Sequence, residues 1–190
     1  MKSGKMFVFS APSGAGKTTL AQKLLDRDGQ LVRSVSMTTR LPRKGERNGK
    51  DYFFTTKEDF LHRQEQGEFL EWAEVFGSYY VTPRRFVERK ILQGKDVIAC
   101  LDVQGAIQIK KKCPQATLIF ILPPKMEELT TRLKKRKTDS LRQIRLRLKT
   151  AKWEIEQRRK YDYTVVNVRL SRAVKVLQAI VTAERHRVEK

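Results

Sequence analysis

Ser10-Ala11-Pro12-Ser13-Gly14-Ala15-Gly16-Lys17-Thr18-Thr19-Leu20 is the stretch that decides the fold. It follows a short apolar run, Met6-Phe7-Val8-Phe9, and precedes a segment with helical spacing over residues 17–27. From Ala11 to Thr18 it keeps the pattern G-x-x-x-x-G-K-[ST], with alanine at the first position. Gly14 and Gly16 allow backbone turns that aim N–H groups at phosphate oxygens. A helix starting at Lys17 adds the positive end of its dipole. In such a loop the lysine reaches the outer phosphates and the threonine hydroxyl contacts Mg²⁺. Strand, glycine-rich loop and helix in that order predict a phosphate cradle. A kinase, a nucleotide-driven switch and a nucleic-acid-binding ATPase all use one.

Outward from the loop, apolar runs alternate with helical stretches. Strands are predicted over residues 6–10, 32–38, 51–54, 69–75, 96–102, 117–122 and 163–168. Helices are predicted over residues 17–27, 57–66, 83–93, 104–112, 125–135, 141–160 and 172–188. Thr56 with Asp59 forms a capping box, Gly67 and Gly94 suit helix C-terminal caps, and Ser171 can cap the last helix. Strongly apolar strands each followed by a helix predict an α/β fold, with a central, mainly parallel sheet covered on both faces. Residues 34–83 are rich in arginine, glycine and aromatics. Residues 125–157 are helical and heavily basic. Both read as insertions on the sheet and as candidate moving parts.

The apolar strand at residues 96–102 ends on Asp102. Ligands of open α/β sheets bind at the C-terminal ends of the strands. Asp102 is therefore placed to hold Mg²⁺ or an acceptor, and an N-cap for the following helix is an equally good use of it. In Thr39-Arg40-Leu41-Pro42-Arg43 two arginines stand three apart in a loop, suited to a second phosphate.

The 190 residues carry 41 Lys+Arg against 21 Asp+Glu, a net charge of +20. That balance favours an anionic partner, nucleotide or nucleic acid, although a solvated basic face would give the same numbers. The surplus cations form no aromatic-interleaved stretch of the kind that stacks bases, so no specific nucleic-acid partner is expected. No apolar run reaches the ~18 residues of a membrane span. Cys100 and Cys113 show no metal spacing and read as reduced thiols of a cytoplasmic protein.

From Met6 to about Arg187 the chain resembles the guanylate kinases. The resemblance rests on Ser10–Lys17, on Ser34-Val35-Ser36-Met37-Thr38-Thr39-Arg40 with Pro42-Arg43 and Gly45-Glu46, and on Asn48-Gly49-Lys50-Asp51-Tyr52-Phe53-Phe54. It continues through Phe69-Leu70-Glu71-Trp72, Leu101-Asp102-Val103-Gln104-Gly105-Ala106 and the arginine-rich stretch after Pro124. It implies a P-loop three-layer core (residues 1–33, 84–124 and 158–190), a small α/β GMP-binding insertion (34–83) and a helical lid (125–157). It implies transfer of the γ-phosphoryl group of ATP to GMP, with dGMP as a second acceptor and Mg²⁺ as cofactor. ATP would sit on Ala11, Pro12, Ser13, Gly14, Ala15, Gly16, Lys17, Thr18 and Thr19, with Arg132, Arg136 and Asn167 at its edges. GMP would sit on Ser36, Arg40, Arg43, Glu46, Tyr52, Glu71, Tyr80, Thr82, Asp102 and Arg147. Lys17, Arg40, Asp102, Arg136 and Arg147 would serve the transfer itself, and Thr18 and Asp102 the metal. Glu71 would accept from guanine N1–H and N2–H, and Ser36 would donate to O6.

Three positions depart from the family pattern. Cys100 replaces an acid, which implies a weakened or rearranged acceptor pocket. On the resemblance alone, Cys100→Asp should keep or improve GMP turnover. Val81 replaces a glycine, which implies a backbone change if that position needs a positive φ. Val168 replaces an acid on the adenine side. The rival readings are a kinase for another small phosphorylated acceptor, a catalytically silent binding module of the same fold and a nucleic-acid-binding ATPase.

Overall fold

The computed structural model describes residues 3–135 and 141–188. At its centre is a five-stranded, wholly parallel sheet. Its strands are β1 (Met6–Ser10), β2 (Leu31–Arg33), β7 (Asp96–Cys100), β8 (Thr117–Leu122) and β9 (Tyr163–Val166). They lie in the order β2-β7-β1-β8-β9. The strands read as continuous apolar runs because both faces are covered. Alternation sorts the side chains. Phe7, Phe9, Ile98, Ile119 and Ile121 pack on one face with Leu20 and Leu24 of α1 (Lys17–Leu25) and Leu177 of α7 (Leu170–Arg185). Met6, Val8, Val97, Ala99 and Leu118 pack on the other with Val87 of α3 (Arg84–Leu92) and Ile109 of α4 (Val103–Lys112).

A second sheet of four strands, order β4-β3-β6-β5, holds β3 (Met37–Thr38), β4 (Phe53–Phe54), β5 (Phe69–Val75) and β6 (Ser78–Pro83). Its small core joins Met37, Phe69 and Val81 to Phe60 of α2 (Lys57–Glu65). The Phe60 ring stacks on Tyr79 at 4.3 Å and on Phe69 at 5.6 Å. β5 and β6 are joined by the two-residue loop Phe76-Gly77, with φ 52° and 77°. Positive φ at both positions matches the right-handed twist of a tight hairpin. Val81 lies within β6, buried, without a positive φ. The valine therefore fills the small core without distorting the backbone.

The helices α5 (Met126–Lys135) and α6 (Leu141–Glu156) are anchored by Leu129, Leu133, Ile144 and Ala151. All four belong to the same apolar cluster as Ala11 and Ala15 of the glycine-rich loop.

The strand expected over residues 32–38 is two strands in different sheets, because the chain crosses from one sheet to the other at residues 34–36. The helix expected over 141–160 ends at Glu156 and tightens into a 3₁₀ turn, Gln157–Lys160. The last helix begins at Leu170 with Arg169 at its N-cap, so Ser171 lies inside the first turn rather than capping it. Thr56 caps α2 as expected, its side chain accepting from Asp59 N at 3.2 Å. Gly67 and Gly94 follow their helices with φ 67° and 73°.

Candidate active site

The C-terminal ends of β1, β2 and β7 open into a cavity of about 790 Å³. At one end is the loop between β1 and α1. Gly14 and Gly16 have φ of 95° and 93°, in the left-handed region that turns successive N–H groups inward. Gly16 has a second constraint: a Cβ there would come within 2.6 Å of Asn167 Nδ2. Asn167 is buried and donates from Nδ2 to the Ala15 carbonyl at 2.9 Å, holding the loop from behind. Lys17 lines the cavity, but it is not free in solvent. Its Nζ donates to the Leu101 carbonyl at 2.6 Å, which leaves two of its three protons for a ligand.

The other end is built by the second sheet and the loop before it. Arg40 is fixed on four sides. Its Nη2 meets both Glu46 carboxylate oxygens at 2.9 Å, and its Nε donates to Tyr80 Oη at 3.1 Å. Its Nη1 donates to the Leu41 carbonyl at 2.6 Å, and the guanidinium lies 5.5 Å from the Tyr52 ring centroid. Glu46 also accepts from Arg43 N at 2.8 Å, so one carboxylate sets both arginines. Burial pushes the Tyr52 hydroxyl above its usual range, with the neighbouring Tyr80 adding to it.

Glu71 is 2% exposed. Its Oε1 accepts from Thr82 Oγ1 at 2.6 Å, and a Cβ at Gly105 would come within 2.2 Å of its Oε2. Only glycine at 105 lets this carboxyl group lie against α4. Burial pushes Glu71 up to about 8, and the Asp102 carboxylate adds to the rise. Asp102 does cap α4: its Oδ1 accepts from Gln104 N at 2.7 Å and Gly105 N at 3.2 Å. The strand ahead of it stops at Cys100, which lines the cavity. Burial pushes the Cys100 thiol up, against the pull of Lys17 and Arg33.

From α6, Gln143, Arg147 and Glu154 line the cavity. Arg147 donates from Nη1 to Ser13 Oγ at 3.0 Å and sits 4.7 Å from the Phe76 ring centroid. One side chain thus touches both the glycine-rich loop and the β5–β6 hairpin. Glu154 was not singled out in the sequence, although it stands seven residues after Arg147, two helical turns along the same face. Burial pushes Glu154 up to about 7, with Lys17 opposing and Asp102 reinforcing the rise. Arg33, at the end of β2, also lines the cavity and was not singled out.

Not every expected residue meets the others. Arg132 pairs with Glu128 of its own helix at 2.8 Å and lies outside the cavity lining. Ala15 and Asn167 stand behind the loop, and Thr82 acts on the cavity through Glu71. Arg136 lies outside the described residues. Ala11, Pro12, Ser13, Gly14, Gly16, Lys17, Thr18, Thr19, Ser36, Arg40, Arg43, Glu46, Tyr52, Glu71, Tyr80, Asp102 and Arg147 all line the one cavity.

The family model for guanylate kinases matches residues 3–184. The chain belongs to the guanylate kinase family. It is 46% identical to the guanylate kinase of Caldanaerobacter subterraneus subsp. tengcongensis, over 100% of this chain and 92% of that protein. It is 48% identical to the enzyme of Thermotoga maritima, over 97% and 89% of the two chains. The crystal structure of guanylate kinase from Anaplasma phagocytophilum superposes with a TM-score of 0.84 at 38% identity, covering 98% of this chain and 89% of that one. Membership agrees with the P-loop architecture and with the glycine-rich loop facing an arginine-tyrosine cluster across one cavity.

Proposed function

We propose the following division of labour for the guanylate kinase reaction, the transfer of the γ-phosphoryl group of ATP to GMP to give ADP and GDP. The glycine-rich loop and Lys17 take the ATP phosphates. Arg40 and Arg43, with the hydroxyls of Tyr52 and Tyr80, take the GMP phosphate. Glu71 and Ser36 read the guanine edge. The single observation that carries this reading is the shared cavity, with the loop at one end and the Arg40–Glu46–Tyr80 cluster with Glu71 at the other. Phosphoryl transfer depends on holding two phosphates in line and neutralising their charge, so this juxtaposition is the catalyst's main task.

Guanine presents two donors, N1–H and N2–H, and one acceptor, O6. An ionised Glu71 and the Ser36 hydroxyl complement them. Adenine offers an acceptor at N1 and a donor at N6, which would leave the buried Glu71 unpaired and strongly disfavour it. Thr82 supports this role by fixing Oε1 and leaving the other carboxylate oxygen to the base.

Thr18 and Asp102 line the cavity beside the loop, and Asp102 Oδ1 is taken up by capping α4. Hard oxygen donors of this kind fit Mg²⁺, with ATP oxygens and water completing its shell. When bound, the metal would neutralise charge on the ATP phosphates. Arg147 bridges the loop and the hairpin and approaches the transferred group from the lid side, and Arg136 is assigned beside it by resemblance. Residues 34–83 and 125–157 are the units expected to move against the core. A coupled assay with ATP, Mg²⁺ and a panel of nucleoside monophosphates tests the reading. GMP should be turned over at least about a thousand-fold more efficiently than AMP, and comparable use of the two would overturn it.

A further inference from the structure

Two cations that line this cavity, Arg33 and Lys44, are left unused by the division of labour above; Lys44 is exposed, and Arg33 is not. Arg33 ends β2, which pairs in parallel with β7 at Ile98, one pleat before Cys100. Its Nη2 donates to the Asp51 carbonyl at 3.2 Å, beside Tyr52. Its Nε is buried and has no hydrogen-bond partner. Among the described residues it forms no ion pair, whereas Arg40 is matched by Glu46 at 2.9 Å. The guanidinium pulls on both the Tyr52 hydroxyl and the Cys100 thiol, so its charge is felt where the phosphate-holding cluster meets the end of β7. A buried donor without an acceptor is costly and seldom retained unless something supplies the acceptor. In the molecule itself, a carboxylate at position 100 would be a natural counter-charge, and a neutral thiol stands there instead.

We propose that Arg33 is a third guanidinium for the phosphate of the acceptor nucleotide, left unneutralised because residue 100 is cysteine. A phosphate oxygen supplies the acceptor that Nε lacks, and its charge supplies the missing counter-ion. The pairing also connects the two sheets through the ligand, since Arg33 belongs to the central sheet and Arg40 leads out of the second one. The inference rests on the acceptor site being where Arg40, Arg43 and Glu71 put it. It reverses the expectation that an acid at 100 would help. Cys100→Asp would pair with Arg33 and withdraw it from the phosphate.

Calorimetric titration of GMP and of guanosine into wild type, Arg33→Gln, Arg33→Lys, Cys100→Asp and the Arg33→Gln/Cys100→Asp double variant tests this, with a thermal melt of each. GMP binding should weaken roughly ten- to a hundred-fold in Arg33→Gln, the range for one lost charge-assisted contact. Guanosine, which has no phosphate, should change less than about two-fold if only phosphate contacts are lost. Arg33→Lys should lose less GMP affinity than Arg33→Gln. Cys100→Asp should weaken GMP in the wild-type background and add little in the Arg33→Gln background. Equal losses for GMP and guanosine, as a purely structural bridge between the sheets would give, would overturn the proposal. So would unchanged GMP affinity in Arg33→Gln, or better GMP binding in Cys100→Asp. If Arg33→Gln does not fold, the Arg33→Lys and Cys100→Asp titrations decide by the same GMP-against-guanosine comparison. Failure of the wild type to bind GMP would instead overturn the acceptor-site reading beneath it.

Discussion

A carboxyl group held at about 8 is protonated through most of the neutral range, and in the proposed role Glu71 would have to lose that proton to accept from both guanine N–H groups. GMP affinity should therefore rise as pH increases from 6 towards 8, with proton release on binding. Titrations at pH 7 in buffers of different ionisation enthalpy measure this directly. About one proton should leave per GMP bound, and buffer-independent heats would contradict the assignment. The ligand-free protein should respond with the opposite sign. Because the native state keeps a proton that the unfolded chain loses near 4.5, stability from this group is full below that value and declines as pH climbs towards 8. Glu154, at about 7, adds to the same slope. Replacing Glu71 by Gln should flatten most of it in urea melts across that window. Neither carboxyl's environment was legible in the sequence. Glu71 was found by its motif, but its burial depends on Gly105 and Thr82, which come from other elements. Nothing in the sequence around Glu154 sets it apart from the other charged residues of its helix.

At the scale of the element, the loop from Ala11 to Thr18 was legible because its glycines and the Lys-Thr pair sit between a strand and a helix that local pattern also predicts. Its support was not. The resemblance implies a place for Asn167 at an edge of ATP, near the adenine, and its amide is found tethering the loop through the Ala15 carbonyl. Asn167→Ala should raise KM for ATP roughly five- to a hundred-fold, the cost of one buried hydrogen bond and the loosened loop. Inhibition by tripolyphosphate, which has no base, separates the two roles. A tether predicts equal losses for ATP and tripolyphosphate, and an adenine contact predicts a loss for ATP alone. The run over residues 32–38 shows the limit of local pattern. Its apolar and β-branched residues fit a single strand, and nothing local marks the crossing at residues 34–36 where one sheet gives way to the other. Arg33 gains its place in the cavity only from that crossing.

Across the whole molecule, the net charge of +20 needs an account. Among the described residues, Lys17, Arg40, Arg43 and Arg147 face one cavity and are partly buried, with Arg40 held by Glu46 and Arg147 donating to Ser13. Apart from Arg33 and Lys44, the other described lysines and arginines lie outside its lining. Binding of duplex DNA at low salt should therefore show no sequence preference and should fall steeply as ionic strength approaches 0.15 M, through counterion release. GMP kinase activity should change much less over the same range. A filter-binding series and a coupled assay on one preparation check this, and sequence-dependent binding that survived physiological salt would favour a nucleic-acid partner. The overall architecture was legible because parallel strands buried on both faces leave unbroken apolar runs. The cavity's completeness was not, since it joins residues of the glycine-rich loop, the β5–β6 hairpin and α6 that are far apart in the chain. The measurement that bears most directly on this arrangement is the kinetics of Glu71→Gln against wild type with GMP and ATP each varied. kcat/KM for GMP should fall roughly ten- to 150-fold, the worth of one charge-assisted contact, while KM for ATP stays within about two-fold, as expected for a group that touches only the acceptor. Equal losses for both nucleotides, or none for GMP, would contradict the account.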